Sequence, residues 1–106
     1  MRVFQKFKRM ILRSKVKNRR KKDLKLLNER RAKLIELADK GIQQQSPNLM
    51  RDTIKMIKLY NKSLFALAGF SRKNGDKQTQ KECYYLIQQG VKVIEQLYDE
   101  IQKIEN

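Results

Sequence analysis

Histidine and tryptophan are absent from this chain of 106 residues, which has one cysteine and one proline. Without histidine, the chain lacks the side chain that enzymes use most often for acid–base chemistry and that metals use most often as a ligand. A single cysteine excludes an internal disulfide, and no cluster of cysteines has the spacing of a zinc site. We therefore expect a protein that is not an enzyme, with no metal, no other cofactor and no small-molecule substrate.

Long apolar runs are also missing. The longest one, residues 64–70, is far shorter than the roughly 20 residues that span a bilayer. Basic residues interrupt the apolar residues near the N-terminus, so the pattern does not predict a secretory signal. We expect a protein that is not secreted, has no transmembrane segment, and resides in the cytoplasm or on a nucleoid or other nucleoprotein.

Acidic residues are few, and the basic excess is unevenly placed. The chain has 26 Lys and Arg against 11 Asp and Glu, a net charge of +15. Residues 1–22 carry +11 without one acid, whereas residues 76–106 carry −2. Such asymmetry is typical of a basic arm or face that meets nucleic acid or an anionic membrane. Nucleic acid, RNA or DNA, is the favoured partner, together with other protein subunits; a membrane surface is a weaker alternative.

Helical periodicity dominates the chain after residue 22. Apolar residues recur at steps of three and four in three segments, about 23–40, 47–68 and 76–104. Alternating apolar and polar runs, which would indicate strands, are missing. The sequence therefore predicts an all-α fold, an antiparallel three-helix bundle with short connections. Residues 1–22 are predicted to form a basic N-terminal helical extension or arm.

Local signals support these boundaries. Ser46 and Pro47 are typical of an N-cap and a first helical residue, and Asn74–Asp76 is typical of a turn followed by a cap. Gly41 and Gly69 are each interpreted as the left-handed residue that ends a helix. Gly90, in the middle of the third helix, is either tolerated there or marks a close approach of two helices.

The first 14 residues have an amphipathic pattern of their own. Phe4, Phe7 and Ile11 fall on one helical face, and bases cover the rest. Three interpretations remain open. In the first, the segment docks on the bundle or on a partner protein and its bases are solvated. In the second, its bases contact phosphates while its apolar face docks on protein. In the third, the segment lies on an anionic membrane.

The densest basic run covers residues 15–22, where six of eight positions are Lys or Arg. It is interpreted either as a phosphate-binding segment or as a solubilising, nuclear-localisation-like run. Because residues 17–22 include no apolar residue, the apolar stripe of the first helix is expected to end there. The candidate nucleic-acid contacts in this N-terminal part are Lys6, Arg9, Arg13, Lys15, Lys17, Arg19, Arg20, Lys21 and Lys22.

A second basic set lies on the predicted helices. Arg51, Lys55, Lys58 and Lys62 follow one another at steps of four, three and four, so they form a ridge along the second helix. Such a ridge either tracks a sugar–phosphate backbone or is an ordinary solvated face. Further candidate contacts are Arg30 in the first helix and Arg72 and Lys73 in a predicted loop, where backbone amides would also be free to bind phosphate.

The remaining notable residues are assigned to packing. Cys83 is expected in the core, and the four tyrosines are expected in the core or in an interface rather than as platforms for bases. Tyr85 and Tyr98, with Phe4, Phe7 and Ile11, are the candidate protein-interface residues. Arg31 interrupts the apolar stripe of the first helix and is expected to pair with an acid of the third helix, such as Glu95 or Asp99.

Taken together, these patterns predict a small basic subunit that binds the phosphate backbone of RNA or DNA without sequence preference inside a larger nucleoprotein assembly. In size, helicity and charge the chain is similar to the helical small subunits of CRISPR effector complexes and to small basic ribosomal proteins. That resemblance implies no particular functional residue. The alternative is a helical module for protein interaction, oligomerisation or regulation, and a third interpretation is a peripheral adaptor on an anionic membrane.

Overall fold

The chain folds into three helices that pack against one another. The structure is a computed structural model that describes the backbone of residues 2–106 and the side chains of residues 19–106. The helices are α1 (Arg2–Gln43), α2 (Pro47–Lys73) and α3 (Lys77–Glu105), and the described backbone contains no strand. The three-helix bundle is therefore confirmed. The molecule is elongated, with extents of 71 × 17 × 15 Å.

The predicted starts of α2 and α3 are confirmed. Ser46 is the N-cap of α2, where its Oγ accepts a hydrogen bond from the backbone N–H of Leu49 at 3.2 Å, and Pro47 occupies the first turn. Asp76 is the N-cap of α3, where its Oδ1 accepts from the backbone N–H of Thr79 at 3.2 Å. Both caps satisfy amide donors that have no partner inside the helix.

The two predicted helix ends at Gly41 and Gly69 are wrong. Residue 41 lies within α1, and the residue with positive φ in the following turn is Gln45, at 49°. Gly69 lies within α2, which continues to Lys73 and is capped by Asn74. Gly75 supplies the left-handed backbone of the second turn, with φ of 70°. Gly41 is instead a packing residue, since a Cβ there would lie 2.9 Å from Cγ of Met50.

The core consists of two apolar clusters along the bundle axis. The residues nearest the α2–α3 turn are Leu24, Leu27, Tyr60, Leu64, Leu67, Ala68, Cys83, Leu86 and Ile87. The second cluster consists of Ala38, Met50, Ile54, Ile57, Leu97 and Ile101. Leu34 packs against both clusters. The predicted core position of Cys83 is confirmed, and most of the apolar lines of α3 fill the intramolecular core.

Asn61 of α2 faces Gly90 of α3 between these clusters. A Cβ on Gly90 would lie 2.6 Å from Oδ1 and 3.0 Å from Nδ2 of the Asn61 side chain. Asn61 is buried, and its Oδ1 has no hydrogen-bond partner among the described residues. Gly90 therefore marks a close approach of two helices, one of the two interpretations given above.

None of the described helices combines the length and the apolar content that crossing a membrane requires.

Candidate nucleic-acid interface

Among residues 19–22, the part of the dense basic run whose side chains the structure describes, Arg20 is the one that the fold buries. Its Nε donates to Oδ2 of Asp76 at 2.9 Å, and the two side chains are 6% and 8% exposed. The guanidinium also lies over the ring of Phe70, 5.8 Å from the centroid. The interpretation of Arg20 as a phosphate contact is thus corrected. Its charge is already used to hold α1 against the turn between α2 and α3.

The position of Arg20 continues the buried stripe of α1. Residues 20, 24, 27, 31, 34 and 38 follow one another at steps of four and three, and all are buried or half-buried. The stripe was expected to end within residues 17–22 because they include no apolar residue. The fold extends it with a charged residue, since Asp76 offers a carboxylate at that level of the bundle.

The carboxylate of Asp76 both caps α3 and pairs with Arg20. Besides the cap on Thr79 and the pair with Arg20, its Oδ2 accepts a hydrogen bond from Oγ1 of Thr79 at 2.7 Å. Burial alone would raise the pKa of Asp76, but the hydrogen bonds from Thr79 and Arg20 outweigh that effect and hold the pKa below its ordinary value. The carboxylate therefore stays ionised and keeps the buried guanidinium paired.

The Arg20–Asp76 contact gathers exposed bases at one end of the bundle. It places residues 19–22 of α1 beside the turn that joins α2 to α3. We call the exposed bases of these two segments the basic end; its members are Arg19, Lys21, Lys22, Arg72, Lys73 and Lys77. Lys77 was missed by sequence reasoning, although its place directly after a predicted turn was a usable signal. The other five are predicted phosphate contacts, and the structure leaves their side chains exposed.

In the turn itself, at residues 74–76, every backbone N–H group already has a hydrogen-bond partner, so only side chains are available to a ligand. The backbone N–H groups of Asn74, Gly75 and Asp76 each donate to a carbonyl at the end of α2, at 2.9 to 3.2 Å. The expectation that this loop would bind phosphate through its amides is therefore wrong. Arg72 and Lys73 belong to the last turn of α2, where positive charge complements the helix dipole.

The predicted ridge on α2 is present, and it lies on the α3 side of that helix. Arg51, Lys55, Lys58 and Lys62 are all exposed. Arg51 forms an ion pair with Glu105 at the end of α3, a partner that sequence reasoning did not identify. The free positive charge of the ridge is thus concentrated in its three lysines.

Aromatic side chains lie beside this ridge. Lys58 Nζ donates to the hydroxyl of Tyr98 at 3.3 Å and lies 5.8 Å from the centre of its ring. Phe65, one turn beyond Lys62, meets Tyr84 edge-to-face with ring centres 6.4 Å apart. These tyrosines were expected in the core or an interface. Tyr60 is buried, but Tyr84, Tyr85 and Tyr98 are 41%, 60% and 48% exposed.

A groove with an apolar floor runs on the opposite side of α2, between α2 and α1. Its exposed apolar residues include Leu26, Met56, Leu59 and Phe70. Arg30, a predicted phosphate contact, lines this groove and is exposed. Arg30 is thus on a different face from the lysine ridge, and the two are not brought together.

Arg31 lines a cavity of about 40 Å³ between the three helices, together with Tyr60, Gln89 and Gly90. Within the described side chains it forms no ion pair with Glu95 or Asp99, so that expectation is wrong. Burial raises the pKa of Tyr60, and the nearby Arg31 charge partly offsets this rise. No group of three or more His, Cys, Asp or Glu side chains suited to a metal occurs among the described residues.

Several predicted contacts lie outside the described side chains. These are the bases Lys6, Arg9, Arg13, Lys15 and Lys17 and the apolar residues Phe4, Phe7 and Ile11. Among the described candidates for a protein interface, Tyr85 and Tyr98 are exposed on different sides of α3.

No known protein family, curated protein or solved structure matches the chain.

Proposed function

We propose that this protein is a small helical subunit, not an enzyme, that binds the phosphate backbone of RNA or DNA without sequence preference within a larger nucleoprotein assembly. The observation that supports this most directly is the basic end. There, a buried ion pair holds six exposed bases from two distant parts of the chain together. Backbone binding needs a dense positive field and no base-reading motif.

The charge around the basic end supports the same conclusion. Asp76, the carboxylate in the turn, faces Arg20 and not the solvent. Among the described residues, none of the six exposed bases of the basic end forms an ion pair with an acid. At the other end of the bundle, Glu105 neutralises Arg51, and Glu100 lies 3.5 Å from Lys103. The fold thus separates a strongly basic end from an end where charges are paired.

The test is binding of a labelled duplex, and of one of its strands, at increasing salt, measured by fluorescence anisotropy. Each phosphate contact contributes a slope of about −0.9 to log K against log salt for a duplex and about −0.7 for a single strand. Reversal of Arg19, Lys21 and Lys22 to Glu should weaken binding at least tenfold for every sequence. The matched control reverses three exposed bases outside the basic end, Lys40, Lys92 and Lys103, so that the net charge changes equally. A flat salt response, or equal losses in both variants, contradicts the proposal.

A second candidate function is oligomerisation through the groove between α1 and α2. Four exposed apolar side chains in one groove favour it, because such surface is usually covered by protein. The mass of the protein in about 1 M salt tests it, since charge interactions are screened there and apolar association is not. A dimer that Leu59→Glu dissociates supports this candidate, and a monomer contradicts it.

A further inference from the structure

The lysine ridge of α2 and the aromatic residues beside it form one continuous surface. We call it the aromatic–lysine face, and its residues are Lys55, Lys58, Lys62, Phe65, Tyr84 and Tyr98. From this surface we infer that the protein binds single-stranded nucleic acid along the α2–α3 face, with bases stacked on the aromatic rings and phosphates on the lysines. This inference rests on the proposed function and names the form of nucleic acid that the face recognises.

The adjacent rings of Phe65 and Tyr84 are exposed to solvent. Phe65 is 55% exposed and Tyr84 is 41% exposed, although they are in contact and a core is available on the other side of each helix. Two adjacent, partly exposed rings provide a hydrophobic surface on which any base can stack. Base–aromatic stacking contributes about 1–3 kcal/mol per base and tolerates every base type.

Positive charges lie beside the aromatic rings on this face. The three lysines follow one edge of α2, where Lys58 Nζ donates to the hydroxyl of Tyr98. Phe65, on the same side of α2, contacts Tyr84 of α3. Tyr84 and Tyr98 are 14 positions apart, about 21 Å along a helix. At a stacked spacing of about 3.4 Å per nucleotide, that distance holds about six nucleotides. Sites of about 4–16 nucleotides are usual for proteins that bind single strands.

The aromatic–lysine face and the basic end differ in the part of a nucleic acid that each can contact. In a duplex the faces of the bases are stacked inside the double helix and cannot reach an aromatic side chain on a protein surface. The basic end requires only phosphates and accepts either form, whereas the aromatic–lysine face requires unpaired bases. Two sites with these properties would let the chain hold a duplex at one end and an unpaired strand along its side.

The experiment compares a fluorescein-labelled single strand of about 12 nucleotides with the duplex of the same sequence. Phe65→Ala combined with Tyr84→Ala is expected to weaken binding of the single strand about tenfold or more, and binding of the duplex by less than twofold. Tyr85→Ala is the matched control, because Tyr85 is also exposed, at 60%, but lies on another side of α3. Tyr84→Phe should retain wild-type affinity, because the ring and not the hydroxyl stacks.

Tyrosine emission gives a second readout, since the chain has no tryptophan. Stacked bases are expected to quench the emission of wild-type protein, and Tyr84→Phe should lose part of that quenching while still binding. If wild-type protein binds neither form, both the proposed function and this inference fail. If it binds both forms and the Phe65/Tyr84 double variant binds the single strand as wild type does, the inference alone fails and a protein partner is left for this face.

Discussion

Arg20 and Asp76, 56 positions apart in sequence, form an ion pair in which both side chains are almost fully buried. The pair joins the middle of α1 to the N-cap of α3. It also explains why a residue in the most basic stretch of the chain is unavailable to a polyanion. The ion pair also positions the exposed neighbours of Arg20 beside the turn between α2 and α3.

Removal of the guanidinium should destabilise the bundle strongly. In Arg20→Ala, the Asp76 carboxylate would stay buried without its partner, and breaking a buried pair in this way costs about 3–5 kcal/mol. Urea denaturation followed by circular dichroism measures the loss. Arg19→Ala is the control, since its exposed side chain should change stability by less than about 0.5 kcal/mol. Equal stabilities of the two variants would show that the pair contributes nothing.

Stability should fall as the solution is acidified. The folded state lowers the pKa of Asp76 below the ordinary value of 3.8. The unfolded chain therefore takes up the proton first, so the stabilisation is present above about pH 5 and is lost as the pH falls through the folded pKa. Urea midpoints from pH 6 to pH 2 measure this effect. Asp76→Asn should show a flatter profile than wild type, whereas Asp52→Asn, on the exposed side of α2, should follow wild type.

Two glycines within helices should respond to alanine with opposite signs. Gly69→Ala should stabilise the protein by up to about 1 kcal/mol, because alanine favours a helix and its Cβ meets nothing within 4 Å. Gly90→Ala should destabilise it by about 1–3 kcal/mol, because its Cβ would collide with the Asn61 side chain. Asn61→Ala combined with Gly90→Ala should recover part of the loss. Thermal unfolding of the four proteins would refute the close approach if both glycine variants were stabilised.

The thiol of Cys83 should be protected until the bundle unfolds. It is fully buried, and burial, with smaller contributions from Glu82 and Asp76, raises its pKa to about 11. The native protein should therefore react with a thiol reagent only as fast as it unfolds, and rapidly in urea. Because the unfolded thiol ionises first, near 9.0, stability should also decline between about pH 9 and pH 11. Rapid labelling of native protein at pH 8 would contradict this placement.

Much of the fold is visible in the sequence because its signals are local. Ser46–Pro47 and Asn74–Asp76 mark helix starts through hydrogen bonds that span only three residues, and the steps of three and four reveal the core. The predicted helix ends at Gly41 and Gly69 were wrong because the neighbouring sequence does not distinguish a glycine within a helix from a glycine that ends one. Their true roles depend on what the next helix places beside them.

The candidate site was less predictable because it depends on contacts between distant residues. A basic residue at position 20 falls on the apolar stripe by spacing, but only the fold shows that Asp76 meets it there. Likewise, the spacing of apolar residues in α3 predicted that Tyr84 and Tyr98 lie with them in the core or in an interface. The apolar stripe of α3 is wider than the part of α3 that α1 and α2 cover. The residues at the edge of the stripe are therefore exposed to solvent.

The contact of Asn61 with Gly90 determines the axial register of α2 against α3. If one helix slid past the other by a turn, the Asn61 amide would meet a side chain of α3 instead of a bare backbone. This close approach favours the observed alignment, in which Lys58 reaches Tyr98 and Phe65 reaches Tyr84. A glycine in the buried interface thereby determines the spacing of rings and ammonium groups on the surface.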